Sequence, residues 1–176
     1  MHNYLLKKYY FISKLDTNYI DKHSSKITFI YRNYKDISPN IKNILKFRDC
    51  CRKKRNKFLI ANNIQIALKL NLDGIYIPSF NKKINHLSYS IKKNFIIVGS
   101  AHSLKEIRCK EMQKVQAIFL SSIFKKNKNF LGVNKFKNLS NLTEKKVIAL
   151  GGISNENLKK LNLIKVFGFA GISFFE

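Results

Sequence analysis

Acidic residues are scarce in this chain: 10 Asp and Glu stand against 34 Lys and Arg, a formal charge of +24 over 176 residues. A surplus of that size raises nucleic acid as a partner. Only five of the basic residues are Arg, however, and the lysines are interspersed with Asn, Ile, Phe and Tyr. All of these have A/T-rich codons, so a biased genome accounts for the charge without selection for a polyanion. The densest cluster, Arg52-Lys53-Lys54-Arg55, reads as the solvated polar end of a helix, and the lysines as a class read as surface. Nucleic-acid binding is therefore the least favoured reading, and a small anionic substrate would gain from the same field. Cysteine is also sparse. Cys50, Cys51 and Cys109 have no metal-ligand spacing and suit neither zinc nor a disulfide framework, which leaves three free thiols in a reducing cytoplasm. Long apolar runs are absent, and so is the h-region of a signal peptide. A soluble cytoplasmic protein without membrane association is expected.

The residues that are present describe a folded chain. The apolar fraction is 45%, with 14 Phe and 8 Tyr, which excludes disorder and supports a single domain over residues 1–176. Eight apolar runs have strand length: Tyr9–Ser13, Ile27–Tyr31, Lys57–Ala61, Gly74–Ile77, Phe95–Gly99, Ala117–Leu120, Val147–Leu150 and Gly168–Ile172. Helix signals lie between them. Ser38 before Pro39 fits an N-cap with proline at the first helical position. Ser103-Leu104-Lys105-Glu106 is a capping box. Ile64, Ala67, Leu68 and Leu70 make a short apolar face. Strands alternating with helices imply parallel βαβ units, and eight of them close a compact (β/α)8 TIM barrel with short helices and loops. A doubly wound open sheet is the alternative, but no glycine-rich turn follows the first strand.

Chemistry in such a barrel sits at the C-terminal ends of its strands. In order these ends carry Arg32; Asn62 and Asn63; Ser79 to Asn81; Ser100 and His102; Ser121 and Ser122; Gly151 and Gly152; and Ser173. No carboxylate pair, HxH or HExxH motif is among them. Hydrogen-bond donors without a proton-transfer dyad suit anion binding and leaving-group stabilisation, and point away from hydrolysis by a side-chain nucleophile. The junction Leu150-Gly151-Gly152-Ile153-Ser154 is the most informative. Two glycines between a strand and a helix start at Ser154 leave backbone N–H groups open to a phosphate. His102, beside the capping box, reads as a positioned structural histidine, while His2, His23 and His86 carry no signal.

Read in order, these segments resemble the thiamine phosphate synthase family and its TenI relatives. Leu59-Ile60-Ala61-Asn62-Asn63 is similar to that family's "LIVND", and Asp73-Gly74-Ile75-Tyr76-Ile77 to "DGVHLGQ". Ile96-Ile97-Val98-Gly99-Ser100-Ala101-His102-Ser103-Leu104 resembles "IIGVSxHSLEE", and Val147-Ile148-Ala149-Leu150-Gly151-Gly152-Ile153 resembles "PVVAIGGI". Gly168 to Ser173 stands where the family has "GVAVVSAI".

The resemblance implies a TIM-barrel transferase of thiamine biosynthesis, joining hydroxymethylpyrimidine diphosphate to thiazole phosphate with magnesium and releasing diphosphate. By position, Arg32 and Asn62 would contact the diphosphate, with Ser100 beside the leaving group. Gly151, Gly152, Ile172 and Ser173 would hold the thiazole phosphate. The family's magnesium ligands are aspartates where this chain has Asn63 and Asn81. A second basic residue falls at Tyr34, with Lys35 one step on. The Thr- and Lys-rich loop after the sixth strand is Phe124-Lys125-Lys126-Asn127-Lys128, and the tautomerase histidine near Ser122 is missing. The phosphate end thus follows the pattern more closely than the magnesium end. The expected partners are small phosphorylated substrates, and a homo-oligomer is compatible with the sequence. The alternative to synthesis is a member that binds a thiazole or thiamine phosphate without forming it.

Overall fold

Eight strands pair in parallel, each with its sequence neighbour, and the last pairs with the first. The computed structural model describes residues 6–23, 26–34 and 40–176. In chain order the elements are β1 (Lys7–Ile12), α1 (Asn18–Asp21), β2 (Ile27–Tyr31), α2 (Ile41–Lys53), β3 (Lys57–Ala61), α3 (Ile64–Lys69) and β4 (Gly74–Ile77). They continue with β5 (Ile96–Ala101), α4 (Leu104–Met112), β6 (Ala117–Ser121), α5 (Gly132–Ser140), β7 (Lys146–Leu150) and β8 (Gly168–Gly171). The barrel closes because β1 takes β2 on one side, with Lys8 opposite Ile27, and β8 on the other, with Lys7 opposite Gly168. The TIM barrel is therefore the fold, and the open sheet is excluded.

Strand periodicity sorts the apolar residues into two layers. Tyr9, Phe11, Ile30, Leu59, Tyr76, Val98, Phe119, Ile148 and Ala170 face the barrel interior. Tyr10, Ile12, Phe29, Phe58, Ile60, Ile75 and Ile77 face outward into the layer shared with Ile44, Phe47 and Cys51 of α2. Four aromatic rings, of Tyr9, Phe11, Tyr76 and Phe119, meet in this interior. The Phe119 ring lies 5.1 Å from Tyr9, 5.3 Å from Phe11 and 5.7 Å from Tyr76, all edge to face. Such pairs contribute about 0.5–1.5 kcal/mol each beyond burial, so the aromatic richness of the sequence fills the barrel.

Short side chains start three of the helices. Asn40 caps α2 by accepting the Asn43 N–H at 3.3 Å, Asn63 caps α3 through the Ile66 N–H at 2.9 Å, and Ser103 caps α4 through the Glu106 N–H at 3.3 Å. The expected helix start at Ser38 and Pro39 lies outside the described residues, as do Lys35 and His2. In the capping box, the Glu106 carboxylate reaches back to the His102 N–H at 2.6 Å. Two connections carry only 3-10 turns: Asn85–Ser88 between β4 and β5, and Leu158–Leu163 between β7 and β8.

Ser154 does not cap a helix after β7. The Asn157 side chain accepts the Ser154 N–H at 2.9 Å and donates to the Gly152 carbonyl at 2.8 Å, folding the segment into a tight turn. β5 runs on to Ala101, so Ser100 is a strand residue rather than a loop residue. No helix among the described residues is long and apolar enough to cross a membrane.

Candidate functional site

Above the aromatic filling, at the C-terminal end of the barrel, lies a small polar layer. Arg32 follows β2, its N–H held by the Ile12 carbonyl at 2.8 Å. Its guanidinium carbon sits 4.6 Å from the centre of the Phe11 ring, and the same group lies against the Tyr76 hydroxyl. A planar cation stacked on an aromatic face is held in orientation at little entropic cost. Tyr76 is buried and donates its hydroxyl to Ser100 Oγ at 2.8 Å. Burial pushes the Tyr76 pKa up, partly opposed by Ser100 and Arg32, so the phenol stays protonated. Because one Ser100 lone pair accepts this proton, the Ser100 O–H is left to donate to another acceptor. Tyr34 and Phe80, both exposed, meet edge to face at 5.4 Å beside this layer.

The ends of β7 and β8 are adjacent, with Leu150 opposite Ala170. Gly151 and Gly152 have φ of +105° and +74°, and both are crowded. A Cβ at Gly151 would lie 2.3 Å from Ser122 Oγ, and one at Gly152 would lie 2.6 Å from the Lys125 N. The loop after β6 is the cause. Phe124 and Lys125 donate their N–H groups to the Gly151 carbonyl at 2.9 and 3.1 Å, and Ile123 donates to the Leu150 carbonyl at 3.0 Å. Glycine is thus needed here for close backbone approach as well as for left-handed φ. Among the described residues, no acceptor takes the N–H of Gly152, Ile153, Ile172 or Ser173. Open backbone donors at two adjoining strand ends are a ready anion cradle. A small cavity of about 60 Å³ brings Ile172 and Arg32 to one lining, together with Phe11 and Glu176.

Asn62, Asn63 and Asn81 gather on the side of β3 and β4, around a cavity of about 310 Å³ that also touches Lys83, His86 and Tyr89. This cavity adjoins the outer face of β4, between the start of α3 and the 3-10 turn Asn85–Ser88. Asn62 has φ of +61°. Its side-chain oxygen accepts the Asn81 amide, the Asn63 oxygen caps α3, and the Asn81 oxygen accepts the Lys83 N–H at 2.8 Å. All three oxygens are therefore engaged and uncharged. Magnesium demands near-octahedral coordination anchored by carboxylates or phosphates. These amides do not fit it, and among the described residues no three His, Cys, Asp or Glu side chains gather into a metal-binding cluster.

Of the residues singled out in the sequence, the fold brings Arg32 and Ser100 together through Tyr76, and aligns Gly151 and Gly152 with Ile172 and Ser173. Asn63 is committed to its helix cap. His102 is a positioned histidine: its Nδ1 lies 2.9 Å from the Ser121 carbonyl and 3.0 Å from Ser121 Oγ. Tyr76 was missed, although a tyrosine one residue before the end of β4, in inward register, was the available signal.

Lys110 corrects the reading of all lysines as surface. It is fully buried, its Nζ donates to the carbonyls of Pro78 and Asn81 and to Gln113 Oε1, and burial pulls its pKa down to about 8. Two histidines that carried no sequence signal also have places. His86 is buried, its Nε2 lying 2.8 Å from the Gln113 carbonyl, and His23 packs edge-on against Tyr10 and Phe175.

Solved structures of low identity report the fold alone. Thiamine phosphate pyrophosphorylase from Pyrococcus furiosus superposes with a TM-score of 0.74 at 20% identity, covering 96% of this chain and 86% of that one. FabK from Thermotoga maritima reaches 0.70 at 11% identity, covering 98% of this chain and 60% of that one. A barrel shared by two such proteins does not select an activity. Sequence comparison is more selective. The thiamine-phosphate synthase of Helicobacter pylori J99 is 28% identical over 171 residues, 90% of this chain and 78% of its own length. That of Methanococcus vannielii is 29% identical over 120 residues, 66% of this chain but only 58% of the relative. Residues 24–175 match the thiamine monophosphate synthase family as a whole. With the barrel, the ordered strand-end motifs and a match over nearly its full length, the chain belongs to the thiamine monophosphate synthase family.

Proposed function

We propose that this protein forms thiamine phosphate from hydroxymethylpyrimidine diphosphate and a thiazole phosphate, releasing diphosphate. The observation that carries this reading is the pairing of open N–H groups at the ends of β7 and β8 with an oriented Arg32 across the same mouth. One anchors a phosphate, and the other faces a departing anion. In the reaction the bond between the pyrimidine methylene carbon and the diphosphate oxygen breaks, and its electron pair leaves with oxygen. The thiazole nitrogen lone pair then forms the new C–N bond to that carbon. No proton needs to move, which agrees with a site that has donors but no acid–base dyad.

The geometry supports the following roles. The Arg32 guanidinium offsets charge developing on the leaving oxygens. The Ser100 O–H, directed by the hydrogen bond from Tyr76, donates to them. Asn62, which follows β3, would contact the same anion from that side. The aromatic faces of Phe11 and Tyr76 exclude water, so a cationic pyrimidine is protected from hydrolysis. Gly152, Ile153, Ile172 and Ser173 would hold the thiazole phosphate and set the distance of its ring nitrogen from the reacting carbon.

The three amide oxygens on the Asn62 side, uncharged and engaged, favour a second reading: a protein that binds thiazole or thiamine phosphate without joining the rings. Turnover separates the two. Purified protein given both substrates should release thiamine phosphate, and Arg32→Ala should lower the rate about a hundredfold or more. No product from the unaltered protein, with thiamine phosphate still raising its melting temperature, would leave the binding reading alone.

A further inference from the structure

The segment that carries Asn81 has no helix of its own to brace it, yet it is tightly held. Three N–H bonds of the Lys110 ammonium go to oxygens at 2.8 Å (Pro78 carbonyl), 2.9 Å (Asn81 carbonyl) and 2.8 Å (Gln113 Oε1). Gln113 adds two more, from Nε2 to the Asn81 carbonyl at 3.0 Å and to the Lys83 carbonyl at 2.8 Å. The His86 ring closes the array on the Gln113 carbonyl at 2.8 Å. The lysine stem reaches this point by crossing Gly99, where a Cβ would lie 2.7 Å from Lys110 Cδ. Glycine at that position therefore gives the stem its path.

An ammonium with all three donors satisfied by protein oxygens is held as a small cation is held. One of these oxygens, Gln113 Oε1, stands at the end of α4. The other two, on Pro78 and Asn81, belong to the loop that carries Asn81, where the resemblance puts a magnesium-binding aspartate. That same loop lacks the charged ligands a divalent ion would require. Two carboxylates with a divalent ion sum to no net charge, and two amides without one also sum to none. The net charge of the loop is then the same after the exchange, and the lysine adds one positive charge behind it.

We infer that Lys110 is a positioning residue, a built-in cation that orders the loop from Pro78 to Lys83 in place of a divalent ion, so that the diphosphate end of the site works without magnesium. This rests on the proposal that the Arg32 end of the mouth receives a diphosphate. Lys110 touches no substrate and acts through Asn81 and its neighbours.

The test uses the full-length protein and three probes. Titrated with magnesium chloride alone, the protein should show no saturable binding. Inorganic diphosphate should bind in the presence of EDTA. In Lys110→Met, diphosphate affinity should fall about tenfold, and amide exchange should accelerate from Asn81 to Lys83. Inorganic phosphate binding at the ends of β7 and β8 should not change. Equal loss of both ligands would mean that Lys110 serves stability alone and would overturn the assignment. So would diphosphate binding that appears only with magnesium, or saturable magnesium binding to the protein alone. The magnesium and EDTA arms need no variant and decide the question even where Lys110→Met fails to fold. Should the protein bind neither anion, the proposed site is wrong, and the magnesium titration and amide exchange still judge Lys110 on their own.

Discussion

Replacing Gly152 with Ala should be far more damaging than replacing Gly132, although the two backbones are alike. Gly152 has φ of +74° and Gly132 has +65°, so an L side chain meets similar left-handed strain at each. That strain costs about 1–2 kcal/mol, and the reduced freedom of the unfolded chain returns about 0.4–1 kcal/mol. Gly132→Ala should therefore cost roughly 1 kcal/mol or less, because its nearest neighbour, Phe130 Cζ, is 3.5 Å from the new Cβ. At Gly152 the new Cβ would lie 2.6 Å from the Lys125 N and 3.0 Å from its Cα, and backbone cannot step aside as a flexible side chain does. Forced displacement adds about 1–3 kcal/mol, for a total near 2–4 kcal/mol. In a chain of this size that is a fall in melting temperature of roughly 5–15 °C. Urea unfolding followed by far-UV circular dichroism measures both variants against the parent. Equal losses would refute the claim that close approach of the β6 loop, rather than φ alone, demands glycine. Phosphate affinity should also fall in Gly152→Ala, since the displaced backbone carries the open N–H groups, and should survive in Gly132→Ala.

Other perturbations read different parts of the molecule. Lys110 has its pKa pulled from 10.5 down to about 8, so between those values the unfolded chain binds more protons than the folded one, and stability rises with pH. The difference in unfolding free energy between the parent and Lys110→Met should accordingly grow in the parent's favour by roughly 3 kcal/mol from pH 8 to 10.5; denaturation curves that shift in parallel would contradict it. Phe119→Ala removes a ring with no exposed surface at the centre of the aromatic filling and should cost about 3–5 kcal/mol, readable as a lower urea midpoint. Tyr76→Phe deletes only the hydroxyl, which donates to Ser100 and meets the Arg32 guanidinium. It should change stability by about 1 kcal/mol yet lower turnover markedly, and unchanged turnover would remove Tyr76 from the site.

Much of the barrel was legible in the sequence because strand and helix signals are local. All eight apolar runs became strands, since an apolar run bounded by turn residues has few other ways to bury itself. The Gly151-Gly152 junction was legible for the same reason. The C-terminal ends of the strands likewise placed Arg32, Ser100 and Ser173 at one end of the fold before any contact was known.

What local pattern could not supply is partnership across the chain. Tyr76 and Ser100 are 24 residues apart, and Lys110 is 32 residues from Pro78. Those pairings exist only once β4, β5 and α4 are packed side by side. Even the capping at Ser154 was misjudged because a better-placed amide, Asn157, reaches back to bond both the Ser154 N–H and the Gly152 carbonyl. Lys110 shows the division most clearly. On one face of α4 it follows buried Ile107 by three residues, a position where an apolar side chain is expected. Composition made it one of many lysines. Sequence alone determined the strands, their order and the chemistry available at their ends. Tertiary structure decided which donors and acceptors meet, because a buried charge is tolerable only where distant segments converge to satisfy every one of its bonds.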